Sequence, residues 1–120
     1  MPIRKIVHAI RRAKPLTREE GMKILVRDKF RCQYCGLDGA ASLDNALVMT
    51  VDFVMPRGAN GKKESANLVA ACRTCNILKG QHRFHGFEEA KHYVLQRREE
   101  KRQEWQKNIA PFGHKVAATA

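Results

Sequence analysis

Hydrophobic residues near the N-terminus recur at the spacing of one helical face, with basic residues between them. The spacing of i, i+3, i+4 and i+7 predicts a short basic helix, which Pro15 interrupts. The apolar positions of this helix are Ile3, Ile6, Val7 and Ile10.

A second helix is predicted from Thr17 to about position 29. Its first residues have the pattern of a capping box, in which the side chains of Thr17 and Glu20 each accept a hydrogen bond from the other's backbone N–H. Helical periodicity predicts that Met22, Leu25 and Val26 face inward.

The middle of the chain changes to a strand pattern and then returns to a helical one. The run LVMTVDFVMP is rich in β-branched residues and ends at Pro56, which predicts a strand. The following RGANGKKES is typical of a loop because of its glycines and its asparagine. The segment NLVAACRTCNILKG then predicts a short helix that Gly80 closes.

A last helical pattern lies in GFEEAKHYVLQRREEKRQEWQKN, where Phe87, Ala90 and Val94 share a face and mixed charges follow. It predicts one long helix with a solvated C-terminal half. The tail HKVAATA is expected to fray.

The length of 120 residues suits one domain and is too short for two well-packed ones. We expect an N-terminal helical segment over 1–26, a core over 27–98, and a basic helix end with a flexible tail over 99–120. The sequence has neither a run of about 20 apolar residues nor the apolar stretch of a signal peptide. A soluble, cytoplasmic protein without a membrane partner is therefore expected.

Lysine and arginine outnumber the acidic residues by 23 to 12, which gives a formal net charge of +11. Such an excess on a small protein favours attraction to polyanions, of which nucleic acid is the first candidate.

Four cysteines form two pairs, CQYC and CRTC, each with two residues between its members. Each tight turn can direct both sulfurs to one tetrahedral ion, and four thiolates suit zinc. Disulfides or a redox pair are the alternatives, but the expected compartment disfavours the first and a redox motif needs only one pair. We predict one zinc site, and something folded must fill the long spacer between the pairs. Its ligands are Cys32, Cys35, Cys72 and Cys75.

These elements together resemble the HNH endonuclease family, in the branch whose ββα-metal core is braced by a four-cysteine zinc site. The resemblance covers about Arg27 to Arg98 and rests on FRCQYCG, TVDFVMPRGANG, NLVAACRTCNILKG and FEEAKHYVLQRR, in that order. It implies a small ββα-metal core, and with the N-terminal helices and the long C-terminal helix predicted above the expected fold class is α+β.

The resemblance also implies a second, catalytic metal site. In family members the strand aspartate and the residue after the last cysteine bind a divalent ion, which carries over to Asp52 and Asn76. The middle asparagine of the motif, Asn67, is expected to steady the loop. Mg²⁺ or Mn²⁺ held by few oxygen ligands can polarise a phosphoryl oxygen and stabilise the leaving oxygen. Alone, Asp52 would be interpreted as a turn or edge residue and Asn76 as a helix cap, but their joint offsets from the cysteines favour the metal site.

Position 53 departs from the family pattern, which has histidine as the general base directly after the aspartate. Phe53 cannot accept a proton. Either another group replaces the base, with His82 or His85 or a metal-bound hydroxide as candidates, or catalysis has been lost and a nucleic-acid-binding module remains. Both histidines could equally be solvated surface residues.

Several cations surround the predicted site in sequence and could neutralise phosphates, although a solvated charged face is the alternative. They are Arg57, Lys62, Lys63, Arg73 and Lys79. The sequence therefore predicts a metal-dependent, weakly sequence-selective endonuclease or nickase acting on DNA, with double-stranded DNA as the expected partner. The alternatives are a non-catalytic nucleic-acid-binding module and a zinc-finger protein that binds protein, for which DNA affinity would not depend on salt.

Overall fold

A computed structural model of the chain describes residues 13–113. The helix predicted over positions 3 to 10 and the tail beyond position 113 lie outside that range. Helix α1 spans Arg18–Arg27, and its predicted capping box is confirmed. The Glu20 N–H donates to Thr17 Oγ1 at 3.2 Å, and the Thr17 N–H donates to Glu20 Oε1 at 2.9 Å.

The inward face of α1 differs from the prediction. Ile24 is buried, whereas Met22 and Val26 are 42% and 61% exposed, so their predicted burial is wrong. Two polar anchors at the end of the helix fix its rotation on the sheet. The Arg27 guanidinium donates to the Leu68 carbonyl at 2.6 Å. The adjacent Asp28 carboxylate accepts from the Ala70 N–H at 2.8 Å.

The sheet has two antiparallel strands, β1 (Met49–Phe53) and β2 (Leu68–Cys72). The predicted strand is confirmed as β1, and a short helix α2 (Leu43–Leu47) precedes it. Pairing runs from Met49 opposite Cys72 to Phe53 opposite Leu68.

The predicted loop joins the strands through two short 3-10 turns, Arg57–Ala59 and Ser65–Asn67. Gly61 is required in this loop, because a Cβ there would lie 1.7 Å from the Met55 carbonyl oxygen.

Helix α3 spans Arg73–Lys79 and ends at Gly80, whose φ of 65° favours glycine. Helix α4 spans Phe87–Ile109, with Ala90 and Val94 fully buried, as predicted. The structure thus confirms the expected mixture of helices with a small antiparallel sheet, a four-cysteine cluster and a long C-terminal helix. Among residues 13–113, none of the helices has both the length and the apolar character needed to cross a membrane.

Candidate active site and metal centre

The four cysteine sulfurs converge on one point at the end of the sheet. Their Sγ atoms all lie within 4.8 Å of one another, and those of Cys35 and Cys72 are 3.8 Å apart. A tetrahedron with metal–sulfur bonds of about 2.3 Å requires sulfur separations of about 3.8 Å. The geometry therefore fits a single tetrahedral metal ion.

Local structure brings the two cysteine pairs together. The isolated bridge between Arg31 and Asp38 closes the turn that carries the first pair. In the second pair, Cys72 ends β2 and caps α3, with its Sγ accepting from the Cys75 N–H at 3.4 Å. The cluster thus ties the sheet and α3 to the segment that precedes them.

Arg98 of α4 compensates the charge of this cluster. Its Nη1 donates to Cys75 Sγ at 3.5 Å. Burial lowers the pKa of Arg98, but the charge of the adjacent sulfurs raises it, and the net direction is upward. Four thiolates around one divalent ion leave a net charge of about −2, so a fixed guanidinium at this distance stabilises the occupied site.

Asp52 near the end of β1 is 4% exposed, and groups from two other elements contact its carboxylate. The Tyr34 hydroxyl donates to Oδ2 at 2.5 Å, and the Lys79 ammonium lies 3.4 Å from Oδ1. Burial raises the pKa of Asp52, while Lys79 and Tyr34 oppose that rise, and the net direction is upward. Burial and the same carboxylate hold the pKa of Tyr34 above its ordinary value, so the phenol stays protonated and donates.

Phe53 occupies the more open position of the strand end. It is half-buried, lines a cavity and lies outside the buried core cluster. Of these two neighbouring strand residues, the aspartate is therefore the more buried one. The Arg57 guanidinium carbon lies 6.0 Å from the centroid of the Phe53 ring, within reach of a cation–π contact.

The cavity beside Phe53 has a volume of about 360 Å³ and is also lined by Asp52, Arg57, Asn76 and Lys79. A second cavity of about 510 Å³ shares Asn76 and is lined by Arg73. Carboxylate and amide oxygens in one cavity are the donors that Mg²⁺ prefers. The residues present therefore fit a hard divalent ion, and cations lie on both sides of Asn76.

Asn67 holds the loop between the strands, as the family resemblance implies. Its Oδ1 accepts from the Met55 N–H at 2.8 Å, and its Nδ2 donates to the carbonyls of Met55 at 3.1 Å and Lys62 at 3.0 Å. These bonds fix the loop that carries Arg57 to the cavity.

Asn67→Ala should lower the free energy of unfolding by about 2–4 kcal/mol, because it leaves the partly buried polar groups of Met55 without partners. The measurement is chemical denaturation at a fixed zinc concentration. Lys62→Ala in the same loop is the control and should change stability by at most about 0.5 kcal/mol, since its side chain is exposed. A similar loss in both variants would contradict this role.

The remaining predicted site residues do not line the cavity beside Phe53. His82 is exposed, and its Nε2 is 3.0 Å from the Tyr93 hydroxyl. His85 is exposed as well, and neither histidine lines the cavity. Lys62 is exposed, whereas the Lys63 ammonium is 3.0 Å from the Glu20 carboxylate. The backbone hydrogen bond from Thr17 and then Lys63 hold the pKa of Glu20 at about 2.

Sequence reasoning missed two residues of the site and misjudged the setting of a third. Tyr34 had a usable signal, because an aromatic residue between two metal ligands must lie close to the metal centre. Arg98 had none, since it is 23 residues from Cys75. Lys79 was predicted to be a cation that could neutralise phosphate, but its side chain is 1% exposed and its ammonium lies 3.4 Å from Asp52 Oδ1.

The part of the chain that carries both candidate metal sites matches a known family model. Residues 32–82 match the family model described as HNH endonuclease. The match begins at the first cysteine, includes both strands and α3, and ends at His82. No curated protein and no solved structure matches the chain.

Proposed function

We propose that this protein is a metal-dependent endonuclease or nickase that hydrolyses phosphodiester bonds in DNA, because residues 32–82 match the family model of the HNH endonucleases. The observation that carries the proposal is the shared cavity of Asp52 and Asn76, with Arg57 beside them. These residues offer two oxygen ligands for an ion and one cation for a phosphate.

Zinc is the metal we propose for the four-cysteine cluster. Four thiolates in a tetrahedron with every position filled by protein are typical of structural zinc. Such a site needs reduced cysteines, so we also propose that the protein is cytoplasmic, where thiols stay reduced.

The second ion, Mg²⁺ or Mn²⁺, would be held by Asp52 and Asn76. When bound, it would polarise the phosphodiester and neutralise charge on the leaving oxygen. Arg57 would bind a phosphate there, because this residue lines the same cavity. Arg73 lines the adjoining cavity, so a DNA backbone crossing both would meet a cation on each side of Asn76. Duplex DNA is the proposed partner.

Position 53 limits the rate that this site can reach. The phenylalanine ring cannot take a proton from the attacking water. The candidate His82 does not line the cavity, and its Nε2 is 3.0 Å from the Tyr93 hydroxyl. A positioned general base is typically worth about 10²- to 10⁴-fold. We therefore propose slow hydrolysis. This same observation favours a second candidate, a nucleic-acid-binding module without catalysis.

Asp52→Asn should abolish Mn²⁺ binding at the second site and reduce plasmid nicking to background. Asparagine keeps the shape of the side chain but removes the charge that holds the ion. Asp44→Asn is the matched control, because Asp44 is an exposed aspartate on α2. Calorimetry on zinc-loaded protein measures the binding, and a supercoiled plasmid measures the nicking.

Three outcomes separate the candidates. Nicking that Asp52→Asn abolishes and Asp44→Asn preserves supports the nuclease. Mn²⁺ and DNA binding without nicking supports the binding module. Unchanged Mn²⁺ affinity in folded Asp52→Asn would show that the ion site has been misplaced.

A further inference from the structure

Tyr34 links the four-cysteine centre to the candidate catalytic site. It lies between Cys32 and Cys35, is 2% exposed, and packs its ring 5.3 Å from that of Phe87. Its ring lies in this apolar environment, and its hydroxyl donates a hydrogen bond to Asp52 Oδ2 at 2.5 Å. The two cysteines restrain the backbone that carries Tyr34, and the packing against Phe87 restrains its ring.

Lys79 reaches the other oxygen of the same carboxylate from the last turn of α3. Its ammonium donates to the Phe53 carbonyl at 3.1 Å and lies 3.4 Å from Asp52 Oδ1. It also lies 5.7 Å from the centroid of the Phe84 ring. A buried ammonium with these three neighbours is anchored in place, unlike a solvated lysine that samples many rotamers.

We propose that Tyr34 is a positioning residue for Asp52 and that Lys79 is its resident counter-ion. The hydroxyl fixes the rotation of the carboxylate, so that its remaining lone pairs are presented to the cavity. The ammonium, 3.4 Å from Asp52 Oδ1, compensates the charge of the buried carboxylate until a divalent ion binds. This inference rests on the proposed function, since it takes Asp52 to be a ligand of the second ion.

The two residues should act on ion binding in opposite directions. Groups that orient a metal-binding side chain typically contribute about 10- to 100-fold to affinity, and a neutral hydroxyl exerts its effect through orientation. Lys79 carries a full positive charge beside the ligand and repels an incoming cation. Removing it leaves a buried carboxylate without a partner, which is costly unless an ion replaces the lost charge.

Tyr34→Phe should weaken Mn²⁺ binding to zinc-loaded protein by about 10- to 100-fold, while the zinc content stays unchanged. The substitution keeps the ring against Phe87 and removes only the hydroxyl. Tyr93→Phe is the matched control, because its hydroxyl contacts His82 outside the cavity. Equal Mn²⁺ affinity in Tyr34→Phe and wild type would overturn the positioning role.

Lys79→Met should tighten Mn²⁺ binding by about 10-fold and enlarge the rise in melting temperature that Mn²⁺ produces. Without Mn²⁺ the variant should melt below wild type, and Lys79→Met/Asp52→Asn should recover stability while losing the Mn²⁺ response. Unchanged or weaker Mn²⁺ binding in Lys79→Met would overturn the counter-ion role. If that variant does not fold, recovery of folding in the double variant supports the pairing, and failure of both counts against it.

Asp52→Asn separates this inference from the proposed function. If Asp52→Asn leaves Mn²⁺ affinity unchanged, the ion site itself is elsewhere and the proposed function fails. If Asp52→Asn abolishes binding but Tyr34→Phe and Lys79→Met change nothing, the ion site stands and only the inference about its supporting residues fails.

Discussion

Replacing Phe53 with histidine should raise metal-dependent nicking of plasmid DNA by about 10²- to 10⁴-fold, the range for a positioned general base. The HNH pattern has histidine at this position. Phe53 lines the cavity that contains Asp52 and Asn76, so an imidazole there would face the predicted ion without a movement of the backbone.

The structure favours tolerance of this substitution. Phe53 is half-buried and outside the core cluster, so the change does not place a polar ring in the interior. The substitution puts at risk the contact between its ring and the Arg57 guanidinium, whose carbon lies 6.0 Å from the ring centroid. Cation–π contacts at exposed sites contribute about 0.5–1 kcal/mol to stability. This loss is small beside the expected lowering of the activation barrier by roughly 3 to 5.5 kcal/mol.

Nicking by wild type, Phe53→His and Phe53→Gln should be compared under Mg²⁺ and Mn²⁺. Glutamine has similar reach but cannot act as a base, so it controls for changes in shape and polarity. Phe53→His/Asp52→Asn is the control for contaminating nucleases and should return to background.

The pattern of activities distinguishes three states of the protein. Wild-type activity that depends on Asp52 would establish an enzyme that works without the usual base. Wild type at background, with Phe53→His clearly above it, would establish a binding module that has lost catalysis. If no variant shows nicking that depends on Asp52, the nuclease proposal is wrong.

Local sequence patterns predicted the elements whose structure is decided locally. The capping box at Thr17, the closing Gly80 and the buried stripe of α4 follow from hydrogen bonding and periodicity within a few residues. The two cysteine pairs were equally informative, because the two residues between the members of each pair leave few possible arrangements of the sulfurs. Strand β2 was different: its local pattern was assigned to a helix-bearing segment, and only the family resemblance implied a second strand.

Features set by tertiary contacts could not be predicted from local patterns. The rotation of α1 depends on Arg27 and Asp28 bonding to β2, about 40 residues away. A lysine in the last turn of a helix is ordinarily solvated. The burial of Lys79 instead depends on the carboxylate of Asp52, 27 positions earlier in the chain. In both cases a polar contact between distant segments decided an orientation that the local pattern did not predict.

Removing the metal from the four-cysteine cluster should unfold the described core. The cysteines themselves form part of the buried cluster, and three of the four are at most 3% exposed. Structural zinc contributes an apparent binding free energy of about 10–16 kcal/mol, whereas small domains have net stabilities of about 5–15 kcal/mol. Loss of the ion would therefore cancel most or all of the stability.

Circular dichroism during titration with a high-affinity zinc chelator measures this effect, and elemental analysis before chelation should find one zinc per chain. Cys75→Ser should behave like the chelated protein, whereas Thr74→Ser, an exposed change in the same turn, should behave like wild type. A folded protein with substantially less than one zinc would contradict the prediction.

Mild chelation that removes only Mg²⁺ or Mn²⁺ should leave the spectrum unchanged, because Lys79 already compensates Asp52 in the absence of that ion. The two metal centres therefore differ in a measurable way: one holds the fold together, and the other can be emptied without loss of structure.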